Sequence, residues 1–136
     1  MVDTNDLTAR VSALFSDPGR QANLAAVYLF GSAARGSARP SSDVDLGILY
    51  QQAPPPTLAG QPFNLAAELS AELGRTADVV VMNSAPVDLV KRILRDGVLV
   101  LERDRSARVA FEVRARNEYF DLLPLLRLYR RGPVRP

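Results

Sequence analysis

At 136 residues, 47% of them hydrophobic and 24% charged, the chain has the size and apolar content of one domain with one buried core. The 17 basic residues outnumber the 15 acidic ones by only two, and Lys91 is the sole lysine, so the basicity is that of scattered arginine and no direct nucleic-acid partner is expected from it. The absence of cysteine and histidine removes disulfides, thiolate zinc sites, thiol nucleophiles and imidazole bases from consideration.

The opening MVDTNDLTAR carries early aspartates and no apolar run, unlike a secretory signal, and no stretch of the chain is apolar for long enough to cross a bilayer; a cytoplasmic location is expected. Over residues 6–15, Leu7, Val11, Leu14 and Phe15 recur at helical spacing, and Asp17-Pro18-Gly19 supplies a turn after them. Residues 24–30 form an apolar run of strand length that stops at Gly31-Ser32, where a short helix through Arg35 can start with Ser32 as its cap. A turn-rich stretch then leads to a second strand over 43–50, ended by the stiff triple proline at 54–56.

Residues 63–73 place Phe63, Ala66, Ala67, Leu69, Ser70 and Leu73 on one helical face, with Gly74 just past the end. A β-branched strand over 77–82 opens on Asp78, and Pro86 starts a helix whose apolar residues are Leu89, Val90, Ile93 and Leu94. Gly97 closes that helix before a strand over 98–101. The remainder, 106–131, is helical in pattern, and Pro124, which lacks an amide hydrogen, must kink or divide it. Strands alternating with helices predict an α/β sheet covered by helices, in a single domain spanning 1–136; strand directions do not follow from pattern alone.

Three features in this order point to chemistry. In a strand, alternate side chains share a face, so Asp43 and Asp45 are neighbours. Two negative charges about 6 Å apart repel by roughly 3 kcal/mol at an effective dielectric of about 20, so a cation is expected to offset them. Magnesium fits, because it takes oxygen ligands and favours one or two carboxylates plus substrate phosphates. Upstream, a Gly-Ser pair between a strand and a helix start offers backbone amides to a phosphate; Gly31 permits close approach, Ser32 adds a hydroxyl, and Arg35 and Arg39 can reach other oxygens of a triphosphate. Asp78, at the mouth of an apolar strand, becomes a third converging carboxylate if its strand lies beside the Asp43 strand, and in a chain without histidine it is the candidate to accept a proton from an attacking hydroxyl. Each feature alone also fits a plain structural role: a solvated strand end, a capped turn, or an aspartate paired with Arg75.

The stretch GSAARGSARPSSDVDL, residues 31–46, resembles the signature of the polymerase-beta nucleotidyltransferase superfamily, with ten residues between Gly-Ser and Asp-x-Asp. More narrowly it is similar to the minimal, or MNT, branch, and RTADVVVMNSAPVDLVKRILRDGVLVLERD and EYFDLLPLLRLYRR extend the likeness along most of the chain. The chain departs from some relatives at Ser37, where an acidic residue is frequent. The resemblance implies a small mixed sheet flanked by helices, Gly31 and Ser32 holding ATP, and Asp43 and Asp45 binding two magnesium ions with Asp78 completing the site. It also implies transfer of AMP, and, as in many MNT proteins, an antitoxin whose partner is a HEPN toxin modified on a tyrosine. The apolar residues Phe111, Tyr119, Phe120, Leu122, Leu123, Leu125, Leu126, Leu128 and Tyr129 exceed what one helical face buries, which makes the last helix either a partner-binding element or a deeply buried one. Two alternatives stay open: an antitoxin that neutralises by binding alone, and a homodimer modifying a small molecule such as an aminoglycoside.

Overall fold

The computed structural model describes residues 4–36, 42–54 and 63–130. Arg39, Ser37 and two of the three prolines at 54–56 lie outside the described residues. Along the chain run α1 (Thr4–Leu14), α2 (Pro18–Gln21), β1 (Leu24–Phe30), β2 (Val44–Tyr50), α3 (Phe63–Leu73), β3 (Ala77–Val81), α4 (Val87–Asp96), β4 (Val98–Glu102) and α5 (Arg105–Arg130), with a 3-10 turn at Met82–Ser84 between β3 and α4. The short α2 was expected only as a turn. Asp17 caps it, accepting the Gly19 N–H at 3.1 Å, and Pro18 occupies the first helical position, where its missing N–H costs nothing.

The four strands form one mixed sheet in the order β3-β2-β1-β4. β1 is antiparallel to β2 and β4, whereas β2 and β3 are parallel and joined by the α3 crossover. Residues 24–29 of β1 are buried without alternation because this strand lies inside the sheet with helices over both faces. On one face Val44, Leu46 and Ile48 of β2 pack with Leu7 and Val11 of α1 and Leu69 and Leu73 of α3. On the other, Leu49 meets Met82, Val90 and Ile93 of the α4 region and Phe111 of α5. Gly47 belongs to this second face, and a Cβ there would come within 3.0 Å of the Met82 sulfur and 3.5 Å of Ile93, so the residue admits α4 close to the sheet. Ile93 is fully buried, and Ile93→Ala is expected to destabilise the chain by roughly 2–5 kcal/mol in chemical denaturation, the usual range for such a cavity.

The last helix is continuous through Pro124 and bent near residue 126, so the proline kinks the helix without dividing it. Asp104 starts it by accepting the Ala107 N–H at 2.9 Å. Its first turns are tied to β1 and β4: the Tyr28 hydroxyl donates to Glu112 at 2.6 Å, and Arg108 donates to the same oxygen at 2.9 Å and to Glu102 of β4. Burial, then the Glu112 carboxylate, raise the Tyr28 pKa far above the ordinary phenol value, which keeps the hydroxyl a donor. Phe111 is buried, whereas Phe120, Leu122, Leu125, Leu128 and Tyr129 are exposed, so the second half of α5 is not sunk in its own fold. Among the described residues no helix is long and apolar enough to cross a membrane.

Candidate active site

The acidic residues are placed by strand register. Asp45 is the Cα partner of Phe30 across the antiparallel β1–β2 pair and of Asp78 across the parallel β2–β3 pair. Registered partners point to the same side of a sheet, with strands about 4.8 Å apart, so the Asp45 and Asp78 side chains leave the same face, and Asp43, immediately before β2, is close enough for its charge to act on Asp45. This is the face that α4 and α5 cover lower down, which leaves the carboxylates at its rim. Asp43 and Asp78 are exposed and Asp45 is half-buried. Asp78 is therefore not the desolvated carboxylate that its position before Val-Val-Val suggests; it belongs with the others through register.

The electrostatics carry the same information. The Asp45 pKa is raised above the ordinary aspartate value, first by burial and then by the charges of Asp78 and Asp43, while Arg35 acts in the opposite direction. Asp45 thus lies in the negative field of both other carboxylates, and the Arg35 guanidinium is near enough to offset part of it.

Phe30 ends β1 beside Asp45, so the chain turns directly next to that carboxylate. Gly31 makes the turn with φ +73, and a Cβ built on it would overlap the Asp45 Oδ2 and lie 3.2 Å from its Cγ. Only glycine satisfies both the left-handed backbone and the close approach. Residues 31–36 then form one closed turn, with the Arg35 N–H on the Gly31 carbonyl at 3.2 Å, the Gly36 N–H on the Ala33 carbonyl at 3.3 Å, and Gly36 left-handed at its end. From beneath, the Thr4 hydroxyl donates to the Ala33 carbonyl at 2.7 Å. The expected helix starting at Ser32 is a single turn, too short to sum a macrodipole, so any anion affinity here must come from individual amides and from Ser32 and Arg35.

All three acidic groups offer hard oxygen, the donor chemistry magnesium needs. Among the described residues no group of three or more His, Cys, Asp or Glu side chains is arranged to hold a metal ion by itself. Magnesium commonly takes only one or two carboxylates and completes its shell with water and substrate phosphate, so Asp43 and Asp45 beside a glycine turn fit such an ion. Pattern reading passed over Thr4, under the turn, and offered Arg75 only as a partner for Asp78; the Arg75 Nε donates to the Ser42 carbonyl at 2.9 Å and its Nη2 donates to the same oxygen. The only signal for Arg75 is its place three residues before Asp78.

A mixed sheet with acidic groups at one strand end, a glycine turn against them and helices on both faces is a nucleotidyltransferase fold. The profile of the family described as polymerase beta, nucleotidyltransferase, matches residues 19–106, and the chain belongs to that family. Among solved structures it is similar to a protein assigned as a minimal nucleotidyltransferase, with 32% identity over 71% of this chain and 95% of that one and a TM-score of 0.56. It also resembles a chain of a toxin-antitoxin complex crystallised with AMP-PNP, at 22% identity, TM-score 0.74 and coverage of 90% of this chain and 94% of that one. A third likeness is to a complex of a tri-AMPylated Shewanella oneidensis HEPN toxin with MNT antitoxin, at 21% identity and TM-score 0.70, covering 93% and 94% of the two chains. No curated protein matches it significantly.

Proposed function

We propose that this chain is a magnesium-dependent MNT antitoxin that transfers AMP from ATP to a tyrosine hydroxyl of a HEPN toxin. The observation that carries this reading is the register pairing Asp45 with Asp78 beside Gly31, in a family whose chemistry is nucleotidyl transfer. Structural neighbours that include an AMP-PNP complex and an AMPylated HEPN toxin support the donor and the acceptor.

In this reading the turn at Gly31 and Ser32 binds the triphosphate, Arg35 contacts its outer oxygens, and Arg39 joins it there. Asp43 and Asp45 would hold two magnesium ions with Asp78 completing the site, and the ions when bound supply positive charge to the phosphates and the attacking oxygen. The tyrosine oxygen forms a bond to the α-phosphorus while the bond to pyrophosphate breaks in line. Asp78 accepts the hydroxyl proton, an assignment favoured by the lack of histidine and cysteine. The exposed apolar residues of α5, Phe120, Leu125 and Leu128 among them, supply the surface for the toxin.

Incubation with ATP, magnesium and the HEPN partner is expected to add the mass of AMP to a partner tyrosine, and Asp43→Asn to lower that rate by about 10²-fold or more. Unchanged modification by the variant would reject the metal site. Neutralisation of the toxin that survives Asp43→Asn without any mass added would instead identify an antitoxin acting by occlusion. Transfer to an aminoglycoside with no partner present would move the acceptor to a small molecule.

A further inference from the structure

Asp43 immediately precedes β2 and so lies before the first residue paired in the sheet. A carboxylate at such a strand start holds its position only if the backbone there is tied down. Two ties come from the other side of the parallel pair. The Val44 N–H donates to the Thr76 carbonyl at 2.9 Å, and Arg75 puts both Nε and Nη2 on the Ser42 carbonyl. Arg75 is itself anchored, because its own N–H donates to the Ser70 carbonyl at 3.2 Å. The Ser70 hydroxyl also accepts the Ala77 N–H at 2.8 Å and donates to the Ala66 carbonyl at 2.7 Å, which locks the end of α3 to the start of β3.

We infer that Arg75 is a positioning residue of the nucleotidyltransferase site: its two-donor grip on the Ser42 carbonyl sets the direction in which Asp43 leaves β2, and so sets the spacing of Asp43, Asp45 and Asp78. A planar guanidinium offering two N–H groups to one oxygen fixes both distance and angle, which a lysine ammonium on a flexible stem does not. The grip spans the same parallel pair that brings Asp78 opposite Asp45, so one side chain aligns the segments that carry all three carboxylates.

The inference rests on the function proposed above, and its test separates the two. Binding of AMP-PNP to the full chain is measured by calorimetry with magnesium chloride and again in EDTA, together with thermal unfolding. Arg75→Ala is expected to weaken the magnesium-dependent part of the affinity about tenfold or more, the usual effect of losing a group that orients a ligand side chain, with binding in EDTA unchanged; Arg75→Lys should fall between it and the parent. A merely structural residue would lower the unfolding temperature and shift both conditions alike. Magnesium-dependent binding by the parent with no loss in Arg75→Ala overturns the inference and leaves the proposed function standing. If Arg75→Ala does not fold, parent-like magnesium dependence in Arg75→Lys overturns it in the same way. No magnesium-dependent binding by the parent overturns both.

Discussion

On the proposed function, Asp45→Asn is expected to leave a folded protein whose AMP transfer is slower by about 10²–10³-fold and that withstands heating in EDTA better than the parent. The two effects have one cause. Asp45 is the half-buried member of the acidic group, and burial together with Asp78 and Asp43 raises its pKa, so in the metal-free chain its ionised form is held against an unfavourable field. Asparagine keeps the shape and removes the charge, which relieves the repulsion and removes the oxygen needed for a cation.

The pH dependence follows with a definite sign. A carboxyl whose pKa is higher in the folded chain than in the unfolded one binds its proton more tightly when folded. Its contribution to stability is fully present below the unfolded value and is lost as pH rises through the folded value. In EDTA, the stability of the parent relative to Asp45→Asn should therefore fall as pH rises from about 3 to neutrality, through the ordinary carboxylate range. Thermal unfolding of both proteins across that range measures it; parallel curves would mean that the acidic residues do not share a field.

Gly31→Ala is expected to impair the proposed transfer by about 10–10²-fold, although it removes no functional group. A left-handed backbone costs a non-glycine residue roughly 1–2 kcal/mol, and the new methyl would occupy the place of the Asp45 carboxylate. The side chain of Asp45 or the turn must then move, and either shift separates the turn amides from the acidic group. The alternative substitution Gly36→Ala carries similar strain but, among the described residues, has only the Thr4 hydroxyl near its Cβ, at 3.8 Å. Comparison of steady-state rates in the two variants separates strain from collision. Equal losses would show that the contact with Asp45 is immaterial, and a much larger loss in Gly31→Ala would support the shared site.

Much of the fold was legible because local chemistry wrote it. The helix over 63–73 and the strand over 24–30 have the bounds that apolar spacing and flanking glycines predict. The starts of α4 and α5 differ by one residue: Pro86 stands just before α4 without a side-chain cap, and Asp104 caps α5. The stretch after Ser32 behaved otherwise: Gly36 takes a left-handed conformation and closes a single turn where a helix was expected, a choice that depends on Thr4 and Asp45, contributed from elsewhere in the chain.

The two-residue period of a strand put Asp43 and Asp45 together as candidates from the amino-acid order alone, and the glycine needed at 31 could be read beside them, although β2 itself begins only at Val44. The order of residues could not say which strand lies next to β2 or in which direction it runs, because pairing is chosen by long-range burial of both faces of the sheet. Tertiary structure made β3 the parallel neighbour, brought Asp78 opposite Asp45, and left Asp78 exposed. It likewise turned Arg75 toward the Ser42 carbonyl, a contact between residues 33 positions apart that no local pattern encodes.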